Sequence, residues 1–147
     1  MNKVALILLY FGKFPANFGL WLKSAARNAD IDFLLYGDCD VSAYLPLPPN
    51  VKCISYTFEQ MKAKIQSKFD FTIELSRPYK LCDYKPIYGY LFEEDLAGYD
   101  YWGHIDLDTI LGDLRAYFPK EAYEKGVPIR SSDDVSEYTG EQPAVYG

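Results

Sequence analysis

Cysteine, histidine, long apolar runs and positive charge are all scarce in this chain. Three cysteines among 147 residues, Cys39, Cys53 and Cys82, are odd in number and widely spaced. That excludes a disulfide scaffold or a clustered zinc site and fits the reduced thiols of a cytoplasmic protein. No apolar stretch approaches the ~20 residues needed to span a bilayer. The opening run, Met1 to Gly12, is short, has one lysine ahead of it and no small-x-small cleavage site after it. It reads as a first buried strand rather than a signal peptide. Lysine and arginine total 15 against 21 aspartates and glutamates, a net charge of −6, which argues against a broad nucleic-acid footprint. Repeats, linkers and low-complexity blocks are absent from the sequence.

What remains is one ordinary domain. Hydrophobic residues make up 49% and charged residues 24%, a globular balance rather than a disordered one. Aromatics reach 17%, with 14 tyrosines, a surplus that suits stacking surfaces and interfaces as well as core.

Taken in order, residues 4–10 are continuously apolar and break at Gly12 and Pro15, the pattern of a strand buried on both faces. Asn17 is placed to cap a helix on which Phe18, Trp21, Leu22 and Ala25 or Ala26 fall at helical spacing. Residues 31–36 form a second apolar strand, so strand, loop, helix and strand make a βαβ unit. Its first loop lies at the ligand edge of the sheet. Asp38 and Asp40 follow that second strand among Gly and Cys, where a turn explains them better than a metal site. Asp38, at a strand's carboxyl end, remains a candidate acceptor for a nucleobase or ribose.

The prolines of residues 45–50 mark a loop, and residues 51–56 a third strand. Thr57 and Gln60 have the spacing of a capping box. The helix they open, from Phe58 to about Phe69, buries Met61, Ile65 and Phe69 and leaves Lys62, Lys64 and Lys68 on a solvated side. Pro86 begins a further helical piece, with Ile87, Tyr90 or Leu91, and Glu94 on one face and Gly98 as its stop. This piece brings Lys80, Asp83 and Lys85 near the strand ends, where a basic residue meets a diphosphate or Asp106.

Residues 99–115 (YDYWGHIDLDTILGDLR) organise the rest. The front half has the aromatic and β-branched bias of a buried strand, which ends in two carboxylates, Asp106 and Asp108. In a strand, residues i and i+2 share a face, so both acids aim at one point if the strand geometry persists. Two such carboxylates repel unless a cation or donors lie between them, and oxygen ligands suit Mg²⁺ or Mn²⁺. The competing reading makes Asp108 the N-cap of a short helix over the following residues. His104, a lone histidine on an aromatic strand, reads as a hydrogen-bonded core residue. Residues 131–147 are polar and without period.

Four blocks, LLYFGKFP at 8–15, IDFLLYGD at 31–38, RPYKLCDYKP at 77–86 and WGHIDLD at 102–108, resemble a bacterial family of glycosyltransferases with the A-type fold. The resemblance covers about residues 3–118. It implies an α/β fold with a Rossmann-like, mostly parallel sheet flanked by helices, and an activity in building cell-surface polysaccharides. By that resemblance Asp106 and Asp108 match the motif for Mn²⁺ or Mg²⁺ and nucleotide-sugar. Tyr10, Phe11 and Gly12 fall where the nucleobase and ribose sit, and Asp38 at a second contact. Asp83 and Lys85 match the helix facing the donor pyrophosphate or sugar, with Lys80 nearby. Family members are about twice as long, with acceptor-binding elements in their second half.

The reading is therefore a nucleotide-sugar-binding α/β domain over residues 1–118 with an irregular C-terminal segment at 119–147, a truncated A-type architecture. Its expected partners are a nucleotide-diphospho-sugar donor and a saccharide or lipid-linked acceptor, with no nucleic acid and no transmembrane segment. The location is cytoplasmic, at most peripheral to the inner face of the membrane. Sheet edges would be left uncovered unless the tail or a second copy covers them, the second copy making it a homo-oligomer. Two rivals accompany the glycosyltransferase: a catalytically inactive nucleotide-sugar-binding or assembly module, and a metal-dependent phosphohydrolase using His104, Asp106 and Asp108. No general base is assigned, so retention or inversion stays open.

Overall fold

The computed structural model describes residues 2–117, together with the backbone of two short strands at 129–130 and 144–146. Strand β1 (Val4–Tyr10) leads through helix α1 (Phe18–Ala26) to β2 (Ile31–Gly37). A single turn over Ser42–Tyr44 precedes β3 (Val51–Ser55), and helix α2 (Phe58–Gln66) follows. A ten-residue 3₁₀ stretch (Pro78–Ile87) runs into the short α3 (Tyr88–Leu91), then β4 (Tyr101–His104) and α4 (Leu114–Tyr117). Strands β5 (Ile129–Arg130) and β6 (Ala144–Tyr146) complete the sheet.

Strands β3, β2, β1 and β4 lie side by side in that order and are all parallel. This is an α/β sheet of Rossmann-like order, as the alternating strand and helix patterns require. Beyond β4, β6 pairs antiparallel, with Trp102 opposite Tyr146 and His104 opposite Ala144, and β5 pairs with β6. The edge of β4 is thus covered by the chain's own C-terminal strand. Apart from these two strands, the irregular segment expected at 119–147 lies outside the described residues.

Alternation along β1 divides the core in two. Val4, Leu6 and Leu8 pack with Phe18, Trp21 and Leu22 of α1, while Ala5 and Ile7 face Met61 and Ile65 of α2 and Tyr88, Leu91 and Phe92. Both faces of the sheet are covered by helical segments, which is why the strands read as unbroken apolar runs. Where β1 and β2 end side by side, with Tyr10 opposite Gly37, only glycine fits: a Cβ on Gly37 would lie 1.7 Å from the Tyr10 carbonyl oxygen.

Local expectations met different fates. The Thr57–Gln60 capping box forms with both of its hydrogen bonds. Helix α2 ends at Gln66, with Phe69 beyond it and partly buried. Lys64 and Lys68 are not simply solvated, since each ammonium lies over an aromatic ring, Phe92 and Tyr90 respectively. Asn17 precedes α1 but caps nothing with its side chain; Nδ2 donates instead to the Leu107 carbonyl at 3.3 Å. The helix expected from Pro86 to Gly98 is mostly 3₁₀ and turn. Its buried residues are Tyr88, Leu91 and Phe92, whereas Ile87 and Tyr90 are exposed. Gly98 does end that segment, at φ +93, a left-handed conformation glycine adopts without strain. Among the described residues no helix is long and apolar enough to cross a membrane.

Candidate functional site

Strand β4 ends at His104, but its in-and-out alternation continues. Ile105 and Leu107 are buried in the α1 side of the core, Asp106 is half-buried and Asp108 exposed. One backbone bond, Ile105 N–H to the Ile7 carbonyl at 3.2 Å, carries the ladder past the strand end. Flanking a buried leucine on either side, Asp106 and Asp108 both line one cleft of about 480 Å³ at the carboxyl ends of β1 and β4. In a parallel sheet this is where ligands bind, between neighbouring strands whose connections leave in opposite directions. Asp108 caps no helix. The residues after it are irregular, and the next cap is Asp113, whose Oδ1 accepts from Ala116 N–H at 3.1 Å.

The facing wall comes from the 3₁₀ stretch. A 3₁₀ helix has three residues per turn, so positions i and i+3 eclipse. Tyr79, Cys82, Lys85 and Tyr88 follow that spacing and all line the cleft. Lys80 and Asp83 share a different side; they do not line the cleft and pair with each other at 3.5 Å on the surface. The structure therefore brings Lys85 to the acids and leaves Lys80 and Asp83 out. Lys85 Nζ lies 2.9 Å from Asp106 Oδ2, with its side chain 10% exposed. Tyr79, Cys82 and Tyr88 had no assigned role in the sequence reading. Their threefold period is the signal that would have found them, and a search at 3.6 residues per turn blurs it.

The remaining wall is the end of β1. Tyr10, Phe11 and Pro15 line the cleft, whereas Gly12 does not. Gly12, at φ +98, turns its N–H onto Asp38 Oδ1 at 2.7 Å. Asp38 thus ties the β1 loop down and lines a smaller adjoining pocket of about 250 Å³ with Asp40, Ser55 and, again, Tyr10. Asp40 accepts from the backbone and hydroxyl of Ser42 at 2.9 Å each, as a turn residue does.

His104 lies off the cleft, edge-on to Tyr88 at 6.2 Å between ring centres. Burial, and then the charge of Lys85, depress its pKa to about 4. It is neutral at physiological pH and poorly placed for proton transfer to a ligand in the cleft.

As a metal-ligand set the two acids are suited to Mg²⁺ or Mn²⁺, being hard oxygen donors open to a cleft. Asp106 also offers a second carboxylate oxygen besides the one facing Lys85. Among the described residues no three His, Cys, Asp or Glu side chains come together. A bound ion would therefore complete its shell from water or from a ligand's own oxygens, as Mg²⁺ often does with phosphates.

DUF6625, a family of unknown function, matches residues 6–132. No curated protein and no solved structure matches the chain.

Proposed function

We propose that this chain, which belongs to the DUF6625 family, is the donor-binding domain of a metal-dependent glycosyltransferase using a nucleotide-diphospho-sugar. The observation carrying this reading is the meeting of Asp106, Asp108 and Lys85 in one aromatic-walled cleft at the carboxyl end of a parallel sheet. Asp106 and Asp108 would hold Mn²⁺ or Mg²⁺, which supplies positive charge to the diphosphate as it becomes the leaving group. Lys85, buried and fixed, adds a second positive charge on the same side without the reorganisation that a mobile side chain needs. Tyr10 and Phe11, which line the cleft, would flank a nucleobase, and Asp38 would accept from ribose or base hydroxyl and amino groups in the adjoining pocket. The acceptor would be a saccharide or a lipid-linked sugar, in the assembly of cell-surface polysaccharide.

A second reading is a nucleotide-sugar-binding module without turnover. It is favoured by one feature of the cleft: Asp106 and Asp108 are its only acids among the described residues, and both serve the donor side. Among the described residues the cleft holds no third carboxylate to activate an acceptor hydroxyl. The phosphohydrolase alternative loses support because His104 is packed away from the acids' cleft.

Thermal melts with a panel of nucleoside diphosphates, each with and without Mn²⁺, test the proposal, because a ligand stabilises the state it binds. Both donor-binding readings expect Mn²⁺-dependent stabilisation by at least one diphosphate, lost in Asp108→Ala. Slow donor hydrolysis or transfer then separates the enzyme from the module. Stabilisation by no diphosphate would overturn both.

A further inference from the structure

We propose that Ser24 and Asn28 are positioning residues that latch the acid-bearing loop to α1, an inference that rests on the reading of Asp106 and Asp108 as ligand-binding acids. Between β4 and α4 the chain has no regular structure, yet Asp108 stands on it. Leu107, Leu111 and Leu114 anchor this loop in the core beside α1. Apolar contact is non-directional, however, and does not by itself fix where a neighbouring carboxylate points.

Direction comes from two buried polar groups four residues apart, Ser24 within α1 and Asn28 just past its end. Ser24 Oγ accepts from Leu111 N–H at 3.2 Å and donates to the Trp21 carbonyl at 2.7 Å. Asn28 Nδ2 donates to the Gly112 carbonyl at 2.9 Å and to the Ser24 carbonyl at 3.1 Å, while its Oδ1 accepts from Leu114 N–H at 2.9 Å. Both side chains are almost fully buried. Polar groups in such a place are costly unless partnered, and here three of their five partners are backbone groups of residues 111–114, the loop's end and the first residue of α4. Asn17 adds a bond to the Leu107 carbonyl from the far end of α1, and Thr109 Oγ1 donates to the Asp106 carbonyl at 2.9 Å. Groups on and beside α1 thus hold the acids' loop: Asn17 just before the helix, Ser24 within it and Asn28 two residues past its end. Positions 24 and 28 hold the loop as a unit: without Asn28, Gly112 and Leu114 both lose their buried partner.

Asn50 provides the control. It is equally buried and donates to the carbonyls of Ala25, Asn28 and Ile31, all at 2.9–3.1 Å, but bonds to nothing in residues 107–114. Amide hydrogen exchange on the full chain, with Mn²⁺ affinity followed by electron paramagnetic resonance, compares Asn28→Ala, Ser24→Ala and Asn50→Ala. Asn28→Ala is expected to speed exchange across residues 107–114 at least tenfold beyond any change in β1 and β2, and to weaken Mn²⁺ binding at least tenfold. Ser24→Ala should do the same to a smaller extent. Asn50→Ala, which loses a bond to the Asn28 carbonyl but none to the loop, should lower the melting temperature with a much smaller loop response than Asn28→Ala. Uniform acceleration in Asn28→Ala, an equal loop response in Asn50→Ala, or an opened loop with undiminished Mn²⁺ affinity would each overturn the latch. If the unsubstituted chain binds no Mn²⁺, the metal reading of the site falls, and the exchange pattern alone then decides whether the latch exists.

Discussion

The ammonium of Lys85 lies 2.9 Å from Oδ2 of Asp106, the lysine buried and the aspartate partly open to the cleft. This pair makes the two neighbouring acids unequal. Asp106→Asn leaves a buried ammonium without that carboxylate and should cost about 2 kcal/mol, less than a fully enclosed pair because solvent reaches the aspartate. Asp108→Asn, at an exposed position, should stay within about 0.5 kcal/mol. Urea unfolding at a common pH measures both, and equal losses would contradict the asymmetry.

Gly37 meets the Tyr10 carbonyl so closely that a Cβ would sit 1.7 Å from its oxygen. The obstacle is backbone and cannot swing aside. Gly37→Ala should therefore lower stability by about 3 kcal/mol and disturb the Gly12–Asp38 contact beside it. A variant that melts like the parent would show that the ends of β1 and β2 lie less closely together.

At the start of α2, Thr57 and Gln60 satisfy each other's backbone N–H groups. Thr57→Ala should cost about 1 kcal/mol. Urea unfolding reads the loss, and Thr57→Ser should recover most of it because the hydroxyl is kept.

At the amino ends of the strands, opposite the cleft, Asp32 accepts from Lys52 Nζ at 2.8 Å and from the Tyr99 hydroxyl at 2.5 Å. Burial pushes the Asp32 carboxyl up, but these two donors outweigh it and hold the pKa below its ordinary 3.8. A carboxylate depressed in the folded state stabilises fully above its unfolded pKa, and the effect is lost as pH falls through the folded value. The stability gap between the parent and Asp32→Asn should thus be constant near neutrality and shrink once pH drops below about 3.8. A gap that widens on acidification would reverse the sign.

Much of this was legible in the sequence, for identifiable reasons. Strand β1 and the Thr57 cap depend on local pattern alone, and both fall where that pattern places them. The approach of Lys85 to Asp106 was legible as an alternative to a diphosphate contact, because a charge near a strand end needs a partner. The 3₁₀ stretch was not legible as such, since its period differs from the one searched, and so Lys80 and Asp83 were grouped with Lys85 although they face elsewhere. Asn17 and Asp108 looked like caps because cap residues are recognised by type, whereas tertiary structure turns Asn17 to the Leu107 carbonyl and leaves Asp108 exposed on the cleft. Ser24 and Asn28 escaped notice for a similar reason. A polar residue on a helix's apolar side and another just past its end look like interruptions until the loop they bind is in place.

The most direct measurement is an anomalous difference map from crystals grown with Mn²⁺ and a nucleoside diphosphate. A manganese peak within ligand distance of carboxylate oxygens from both Asp106 and Asp108, with the diphosphate beside Lys85, is the expected result. A peak remote from that pair, or nucleotide bound outside the cleft, would contradict the assignment of these acids to donor binding.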